Sequence, residues 1–384
     1  MTPIRILYVE PSQQIGGSDL TLYELTRKLD RSRYQPVVLF YQPHPAEENF
    51  RSAGAEVIRL QDHYPPPSQD PVYGRAEFPR ACRIARIVLR SGIRLVHHNA
   101  FLRKARANIF TCSFTGVPQL CHVHNPLPAP GWERILSASV DRFLFVSKYV
   151  RDRYLECGIP KEKGSVVYNP IDTAQFAHQE KRDIVRAELV LSGCRVVANV
   201  ARIDTWRGHH HFLIAMSRVM ERYPDVRALI VGAFTAQAIA TGYDGQLRQM
   251  AIDLGIDGRV IYTGFRKDIP EMMAAADIVV HSATRPEGFG RAPAEALAAA
   301  RPTIVTDAGG VTEIVEDGVT GRVVPRSNPE AMADAILWML ENPAAAKAMA
   351  IAGRDRVVQR FGLDSFVSAM QDIYDQVVAL APGR

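Results

Sequence analysis

The stretch "DIVVHSATRPEGFGRAPAEALAAARPTIVTD", residues 277–307, contains one complete unit of alternating secondary structure. The short apolar run "DIVVHS" is typical of a strand buried on both faces. A glycine turn at "EGFG" follows, then a helical run over "AEALAAA" that stops before Pro302, and then a second apolar run, "PTIVTD". A strand, a helix and another strand in this order predict parallel strands in a doubly wound α/β sheet.

The same alternation extends over the rest of the chain in two series. The first series of predicted strands is "IRILYVE", "PVVLFY", "AEVIRL", "IRLVHH", "VPQLCHV", "RFLFVS" and "SVVYN". After a polar break near residues 173–194 the second series is "RVVANVA", "RALIVG", "RVIYTG", "DIVVHS", "PTIVTD" and "GRVVP". We therefore predict a first domain over 1–176 and a second over 177–363. A last helix over 364–384 has a helical apolar stripe and could pack back on the first domain.

Composition supports a folded two-domain protein. The chain has 384 residues, of which 47% are apolar and 23% charged, and it is too long for one ordinary core. No apolar run reaches the roughly 18 to 20 residues of a membrane span, and the amino-terminal stretch resembles a strand more than a signal peptide. The five cysteines are scattered and lack a C-x-x-C pair, as expected in a reducing compartment. We expect a cytoplasmic protein.

The glycine turn and the helix after it form a candidate anion site. Ligands of such sheets bind at the carboxyl ends of the strands, so we expect the site in a cleft between the two domains. Pro293 suits the first turn of a helix, whose free N–H groups and positive dipole end attract a phosphate. Glu287, before the turn, would face a sugar attached to that phosphate, and Glu295, one turn into the helix, would reach a ribose. Alternatively, either glutamate could serve only the helix dipole, which is worth about 0.3–1 kcal/mol.

The stretch "PEGFGRAPAEALAAARPTIVTDAGGVTEIVEDGVTGRVVP" resembles the donor-binding signature of the large retaining glycosyltransferase family 4. Glu287 and Glu295 match the E-x7-E pair of that family. Further matches cover nearly the whole chain: "GGSDLTLYEL", "HVHNP", "FVSKYV", "YNPID" and "VARIDTWRG". The resemblance implies the GT-B fold, in which two Rossmann-like, doubly wound domains face each other across a cleft.

The resemblance also implies roles for individual residues. Glu287 would contact hydroxyls of the donor sugar near the reacting carbon, and Glu295 would bind the ribose. Arg202 and Arg207 would bind the diphosphate and stabilise it as it leaves. Fixed cations aimed at the developing charge lower such a barrier, and guanidinium groups bind phosphate in bidentate fashion. The family usually has Lys where this chain has Arg207, which keeps the charge and changes the geometry.

Other candidate residues follow the first series of strands or complete the donor site. Gly16 and Gly17 would let the backbone approach the donor, or would form an ordinary turn between strand and helix. His124 resembles a family histidine near the transferred sugar, although it could be a capping or core histidine. The remaining predicted donor-binding residues are Gly288, Phe289, Gly290 and Arg266.

No metal or other cofactor is expected besides the nucleotide-diphospho-sugar donor. "HHH" at 209–211 could suggest a metal site, but neighbouring side chains at a helix start point apart and cannot readily share one ion. The chain also lacks Asp-x-Asp, which holds a divalent cation in the other major glycosyltransferase fold. A metal-independent transfer is the better hypothesis.

Positive charge is concentrated in the first half. Residues 1–180 carry 23 Lys and Arg against 17 Asp and Glu, and residues 75–106 carry nine basic residues and one acid. An amphipathic basic helix can rest on an anionic membrane face, or bind an anionic acceptor. No nucleic-acid motif accompanies the charge. The predicted membrane or acceptor patch comprises Arg83, Arg86, Arg90, Arg94, Arg103 and Lys104.

The sequence is compatible with three functions. The first is a retaining hexosyltransferase that uses a UDP-sugar, GDP-mannose or a similar donor and a glycan or lipid-linked acceptor, in cell-envelope or polysaccharide biosynthesis at the inner face of the membrane. The second is another enzyme on a similar fold, such as a nucleotide-sugar epimerase or a nicotinamide dehydrogenase; "GFGRAP" has Pro at the last glycine of G-x-G-x-x-G, so the dinucleotide fingerprint fails. The third is a non-catalytic binder of nucleotide-sugars.

Overall fold

The computed structural model describes residues 2–12, 16–60, 77–99, 102–128, 131–177 and 181–379. The chain divides into two compact units, one formed by residues 1–170 with 363–384 and the other by residues 171–362. The sequence prediction had put residues 171–176 in the first domain. A short 3-10 helix at Thr173–Phe176 instead packs against helices of the second unit, with Phe176 buried.

The first unit contains a seven-stranded parallel sheet. Its strands are β1 (Ile4–Glu10), β2 (Tyr34–Phe40), β3 (Glu56–Arg59), β4 (Leu95–His98), β5 (Gln119–Val123), β6 (Arg142–Phe145) and β7 (Gly164–Val166). They lie in the order β3-β2-β1-β4-β5-β6-β7. The apolar runs form these strands because neighbouring helices bury both faces of the sheet.

The second unit repeats this plan with six parallel strands. They are β8 (Arg195–Val200), β9 (Val226–Val231), β10 (Val260–Gly264), β11 (Ile278–His281), β12 (Thr303–Thr306) and β13 (Arg322–Val324), in the order β10-β9-β8-β11-β12-β13. Every predicted strand is present, and the predicted pair of Rossmann-like sheets is confirmed.

Helices connect the strands and cover the sheets. In the first unit they are α1 (Gly17–Lys28), α2 (Glu47–Ser52), α3 (Glu77–Arg90), α4 (Leu102–Ser113), α5 (Trp132–Ser137), α6 (Lys148–Leu155) and α15 (Leu363–Ala379). In the second they are α7 (Arg182–Glu188), α8 (His209–Arg222), α9 (Ala236–Ala240), α10 (Tyr243–Asp253), α11 (Ile269–Ala275), α12 (Arg291–Ala298), α13 (Pro329–Glu341) and α14 (Pro343–Phe361). Within the described ranges, none of these helices is both long and apolar enough to cross a bilayer.

The last helix belongs to the first unit although it ends the chain. α15 packs beside α1 and under β4, and it buries Phe366, Met370 and Tyr374 in the same core as Leu22 and Val38. Its apolar positions repeat at helical spacing, so a single face enters the core. Residues 380–384 of the predicted helix lie outside the described residues.

Each sheet has one point where the strand order reverses direction. β1 and β4 are neighbours in the first sheet, and β8 and β11 are neighbours in the second. Because all strands are parallel, the loops that follow these neighbours leave the same edge of the sheet close together. Such reversal points are where doubly wound sheets bind ligands.

Candidate functional site

Glu287 lies in the loop after β11 and is fixed by its backbone. Its N–H donates to the carbonyl of Ala308 at 3.0 Å, and its carbonyl accepts from the N–H of Gly310 at 3.0 Å. These bonds extend the pairing of β11 with β12 by one residue pair, Glu287 with Gly309. Ala308 and Gly310, on either side of Gly309, therefore hold the backbone of Glu287.

The turn between β8 and α8 is joined to the end of β11. Gly208 has a φ of 71°, and a β-carbon there would lie 1.9 Å from the carbonyl oxygen of Ser282, so only glycine fits. The Ser282 hydroxyl donates to the carbonyl of Arg207 at 2.8 Å, and the N–H of Thr284 donates to the carbonyl of Trp206 at 2.9 Å. This close packing carries Arg207 to Glu287.

The carboxylate of Glu287 receives two basic side chains on a single oxygen. The Nη1 of Arg207 and the Nε2 of His281 both contact Oε1, the latter at 2.8 Å. Burial alone would raise the pKa of Glu287, but Arg207 and His281 outweigh it and lower this pKa to about 2. Glu287 is therefore a carboxylate at any physiological pH, and both of these contacts fall on its Oε1.

The guanidinium of Arg207 also lies 3.9 Å from the centre of the Trp206 ring. A cation above an aromatic face is attracted to it, which restricts the side chain further. The contact with Glu287 uses one of the five guanidinium N–H donors. Arg207 was predicted to bind the donor diphosphate, and the structure adds a direct link to the predicted catalytic carboxylate.

α12 begins beside Glu287. Gly290 is its N-cap with a φ of 103°, and a β-carbon there would approach Val311 to 2.5 Å. The first turn of α12 contains no acidic residue. Glu295 comes fifth in the helix and accepts from Nε of Arg291 at 2.7 Å. The predicted ribose-binding carboxylate thus lies one turn into the helix, as the sequence indicated, and is part of an ion pair.

The other residues of the glycine turn are buried. The Phe289 ring packs edge-to-face on Phe361, with ring centres 5.5 Å apart, inside the second unit. Gly288 is also buried. The predicted donor-binding role of Phe289 can therefore involve its backbone only.

The two remaining predicted arginines of the second unit differ in their surroundings. Arg202 follows β8 and is exposed at the carboxyl edge of the sheet. Arg266 follows β10, the edge strand, and its guanidinium is clamped by Glu188 at 2.6 Å and Asp268 at 2.6 Å. Those hydrogen bonds raise the pKa of Arg266. Among the described residues, Arg266 makes no contact with Glu287. To bind the donor as predicted, Arg266 would have to give up its contacts with Glu188 and Asp268.

In the first unit, Gly16 and Gly17 open α1. The N–H of Gly16 donates to Asp19 at 2.9 Å, and the hydroxyl of Ser12 donates to the same carboxylate at 2.7 Å. Neither glycine has a positive φ, and a β-carbon at Gly17 would meet nothing within 4 Å. The fold itself therefore does not require glycine at these two positions.

His124 follows β5 and belongs to a buried polar chain. Its Nε2 lies 2.8 Å from Oδ1 of Asn99, and the amide Nδ2 of Asn99 donates to Glu10. Because an amide oxygen only accepts, Nε2 of His124 carries the proton in this contact. Burial lowers the pKa of His124 to about 3, so the ring is neutral.

The three histidines at 209–211 have separate environments. His209 is fully buried, and burial lowers its pKa to about 3. His210 instead contacts the Tyr243 hydroxyl through Nδ1 at 2.9 Å. Among the described residues, no group of three or more His, Cys, Asp or Glu side chains is arranged to hold a metal ion.

The predicted basic patch lies on the outer surface of the first unit. Ile84 and Val88 of α3 face the core, and Arg83, Arg86 and Arg90 are exposed on the opposite side. Arg94 is exposed just before β4. Arg103 and Lys104 lie in α4, and their side chains fall outside the described part of the chain.

Large apolar side chains are also exposed on α3 and at the end of α4. Leu89 of α3 is 64% exposed, and Phe110 and Phe114, at the end of α4, are 52% and 76% exposed. The two phenylalanine rings pack edge-to-face, with centres 5.2 Å apart. α3 and α4 contact each other on one side of the sheet.

Sequence reasoning missed His281 and the Glu10–Asn99 pair. Each has a signal in the sequence, because His281 and Glu10 are polar residues that end apolar strand runs, and Asn99 follows a third run. A polar residue at the carboxyl end of a buried strand lies where such sheets bind ligands. The same rule predicts the positions of Glu287 and His124, and it applies equally to His281, Glu10 and Asn99.

Two family models divide the chain between them. The model described as Glycosyltransferase Family 4 matches residues 15–175, and the one described as Glycosyl transferases group 1 matches residues 181–356. Together they cover both units, and the two sheets have the strand orders described above. The chain therefore belongs to the family 4 type of glycosyltransferases, with the GT-B fold.

Relatives of known name agree with this membership, and a solved structure shares the fold. The lipopolysaccharide core biosynthesis mannosyltransferase LpsB of Rhizobium meliloti is 25% identical over 65% of this chain and 69% of its own length. A GDP-mannose-dependent alpha-(1-6)-phosphatidylinositol monomannoside mannosyltransferase of Mycolicibacterium smegmatis is 30% identical over 58% of each chain. The fold is shared by HepE of Anabaena, solved with UDP and glucose, with a TM-score of 0.86 and 22% identity over 97% of this chain and 100% of that one.

Proposed function

We propose that this glycosyltransferase is a retaining, metal-independent hexosyltransferase whose second unit binds a nucleotide-diphospho-sugar. The observation that carries the proposal is the ionised carboxylate of Glu287 at the carboxyl edge of the second sheet, beside Arg207. A carboxylate accepts hydrogen bonds from sugar hydroxyls, and a guanidinium binds a diphosphate. Glu287 thus suits the sugar of a nucleotide-diphospho-sugar, and Arg207 suits its diphosphate.

The roles follow from charge. Glu287 accepts from a hydroxyl of the donor hexose through Oε2, while Arg207 and Arg202 neutralise the diphosphate as its bond to the sugar breaks. Glu295 binds the ribose hydroxyls, and the first-turn N–H groups of α12 face the phosphates. The acceptor hydroxyl attacks from the face that the nucleotide leaves, so the anomeric configuration is retained.

The donor is a UDP- or GDP-hexose. The names of the relatives, two of which are mannosyltransferases, support a GDP-mannose donor, and the UDP in the HepE structure supports a UDP-sugar. Thermal unfolding in the presence of UDP-, GDP- and ADP-hexoses distinguishes these donors. A donor present at 100 times its Kd should stabilise the protein by about 2.7 kcal/mol. If no nucleotide-sugar raises Tm, the proposal is wrong.

Two further measurements test the mechanism. The anomeric configuration of the product, assigned by NMR from the one-bond C1–H1 coupling constant, should be the same as that of the donor; an inverted product would contradict retention. Turnover should be unchanged in EDTA, because the proposal assigns the leaving diphosphate to Arg202 and Arg207. An EDTA-sensitive turnover that Mg²⁺ or Mn²⁺ restores would contradict metal independence.

Two alternatives predict different products. A nucleotide-sugar epimerase would convert a donor without an acceptor, and a non-catalytic binder would bind a donor without turnover. Incubation of the bound donor with and without a glycan acceptor distinguishes all three. The proposed enzyme should release a nucleoside diphosphate in proportion to glycosylated acceptor.

The acceptor is a glycan or a lipid-linked sugar, used in cell-envelope or polysaccharide biosynthesis at the inner face of the membrane. The outer surface of α3 and α4 supports this assignment, because it combines the guanidinium groups of Arg83, Arg86 and Arg90 with the exposed rings of Phe110 and Phe114. Basic residues attract anionic lipids with about 1 kcal/mol each near the surface, and apolar side chains insert below the headgroups.

Vesicle co-sedimentation tests the membrane assignment. The protein should bind vesicles that contain phosphatidylglycerol more strongly than pure phosphatidylcholine vesicles, and the double variant Phe110→Ala/Phe114→Ala should bind less. Ile239→Ala is the matched control, because Ile239 is similarly exposed, at 57%, in the second unit. Binding to neither vesicle, with binding to a soluble anionic glycan instead, would assign the patch to the acceptor.

A further inference from the structure

His281 has an unusual environment for a buried histidine. It ends β11, only 6% of its surface is exposed, and its single hydrogen bond among the described residues joins Nε2 to Oε1 of Glu287. Its other ring nitrogen, Nδ1, is buried without a partner. Buried polar atoms in folded proteins nearly always have partners, and leaving one unpaired costs about 1–3 kcal/mol.

The contact itself fixes the direction of the hydrogen bond. A carboxylate oxygen can only accept, so Nε2 of His281 carries the proton and donates it to Glu287. A histidine placed here only to fill space would be replaceable by an apolar side chain that buries no unpaired nitrogen. Among the described residues, the contact with Glu287 is the one hydrogen bond that compensates for burying this ring.

The contact also limits what Glu287 can do. Arg207 and His281 approach the same oxygen from the turn after β8 and from the end of β11, so the carboxyl group cannot rotate without losing both. The backbone of Glu287 is held separately by Ala308 and Gly310. Of the two anchors on Oε1, His281 is buried at the end of a strand, whereas Arg207 reaches the oxygen on a longer side chain from the turn after β8.

We propose that His281 is a positioning residue that fixes the carboxylate of Glu287 so that Oε2 faces the donor hexose while Arg207 turns to the diphosphate. This inference rests on the proposed function, since it requires Glu287 to contact the sugar. His281 touches neither the sugar nor the reacting atoms in this arrangement. It acts through Glu287 alone.

Two matched substitutions separate positioning from packing. In His281→Gln the side-chain amide nitrogen takes the place of Nε2 and can still donate to Glu287. In His281→Asn the same amide is one methylene shorter, takes the place of Nδ1, and cannot reach Glu287. Both variants keep a polar side chain of similar chemistry, and His211→Gln, at the start of α8, controls for the loss of a histidine elsewhere.

The readout compares binding of UDP and GDP with binding of UDP-glucose and GDP-mannose by calorimetry. His281→Asn should weaken binding of the preferred nucleotide-hexose by about tenfold and change binding of the nucleoside diphosphate by less than about twofold. The reason is that the lost hydrogen bond positions Glu287, which contacts the hexose and not the diphosphate. His281→Gln should stay within about threefold of the wild type for both ligands. Thermal unfolding of each variant verifies that it folds.

A double-mutant cycle completes the test. In a Glu287→Ala background, His281→Asn should have no further effect on binding of the nucleotide-hexose, because the carboxylate through which it acts is absent. Equal loss in His281→Gln and His281→Asn, equal loss for bare and sugar-bearing nucleotides, or additive effects in the cycle would each overturn the positioning role. If the wild type binds the diphosphates and no nucleotide-hexose, the proposed function itself is wrong, and the role of His281 with it.

Discussion

Each unit holds a buried glutamate at the carboxyl edge of its sheet, and the two glutamates have opposite charge states. Burial raises the pKa of Glu10, which ends β1, and the nearby Asp19 raises it further, to about 8. Burial would also raise the pKa of Glu287, but there Arg207 and His281 reverse the effect and hold it at about 2. At neutral pH the first carboxyl is mostly protonated and the second is ionised.

The difference lies in the partners and not in the degree of burial. Glu10 accepts hydrogen bonds from neutral groups, the amide of Asn99 and the N–H of Ser12 at 2.9 Å. Glu287 is held by a guanidinium group and an imidazole. Desolvation penalises the charged form, and only an opposite charge nearby compensates for it. The same residue type at the same edge of the same fold can therefore hold a proton or a negative charge.

The largest expected effect is on turnover. Glu287→Gln removes the negative charge that faces the donor sugar and leaves Arg207 without its counter-ion, so kcat/KM should fall by about 100-fold or more. Glu10→Gln removes a carboxyl that is mostly protonated at neutral pH, so its kcat/KM should fall much less than that of Glu287→Gln. The measurement is the release of nucleoside diphosphate from the identified donor, with circular dichroism to verify folding. Equal losses in both variants would abolish the distinction between the two glutamates.

The second comparison concerns acid. The first unit buries His97, His98 and His122 and partly buries His124, and burial lowers the pKa of each, to about 4 for His98 and about 3 for His124. A histidine with a lowered folded pKa contributes stability above its ordinary value of 6.5, and that contribution is lost as the pH falls. Below that value, each such histidine lowers the free energy of unfolding by up to about 1.4 kcal/mol for each unit by which the pH falls.

Among the described residues of the second unit, burial lowers the pKa of the fully buried His209 to about 3 and also lowers the pKa values of the partly buried His210 and His211. The first unit should therefore lose structure at a higher pH than the second. Hydrogen exchange at pH 7, 6 and 5 measures this: amides of β1, β4 and β5 should lose protection before those of β8, β9 and β11. Simultaneous loss in both sheets, or earlier loss in the second, would contradict the expected order.

The third comparison concerns the turn that carries Arg207. Gly208→Ala would put a β-carbon 1.9 Å from the carbonyl of Ser282 at a positive φ, so the free energy of unfolding should fall by about 2–4 kcal/mol. Gly242→Ala is the matched control in the same unit, since Gly242 has a φ of 69° but open space around it. It should cost about 1 kcal/mol. Urea denaturation measures both variants. Similar losses of unfolding free energy in Gly208→Ala and Gly242→Ala would mean that Gly208 does not pack tightly against Ser282.

A smaller effect should come from the pH dependence that Glu10 creates. A carboxyl whose folded pKa is raised contributes stability below its ordinary value of 4.5, and that contribution is lost as the pH rises to about 8. Between pH 6.5 and 8, where the histidines no longer titrate, the free energy of unfolding of the wild type should fall by at most about 1.4 kcal/mol per pH unit because of Glu10. In Glu10→Gln this fall should be absent. Urea denaturation at four pH values measures it, and parallel curves for wild type and variant would show that Glu10 is ionised.

The sequence was sufficient for the sheets because their strands are buried on both faces and read as apolar runs. It was also sufficient for the position of Glu287, since a glycine turn after a buried strand lies at the carboxyl edge. The residues that surround Glu287 were harder to predict from the sequence. Arg207 is 80 residues away in the chain and reaches it because β8 and β11 are adjacent, which depends on strand order.

Other features depend on contacts that no local pattern specifies. Arg266 pairs with Glu188, 78 residues earlier, and this ion pair could not be deduced from the "GFRKD" turn. The division between units also depends on long-range packing: residues 171–176 look like a continuation of the first series, yet Ile171 pairs with Gly362 and Phe176 is buried in the second unit. Local sequence determines which element forms, and tertiary packing determines to which body it belongs.

The smallest expected effect on stability concerns Gly17. Its β-carbon position is open, its φ is not positive, and it is the first residue of α1, so Gly17→Ala should change the free energy of unfolding by less than about 1 kcal/mol, in the stabilising direction if at all. The fold gives no reason for glycine here, in contrast to Gly208. If the backbone at Gly17 approaches the donor, as the family resemblance implies, kcat/KM should nevertheless fall by about tenfold. Unchanged stability with unchanged turnover would make Gly16 and Gly17 an ordinary turn, and the first unit would then contribute to donor binding, if at all, through other groups.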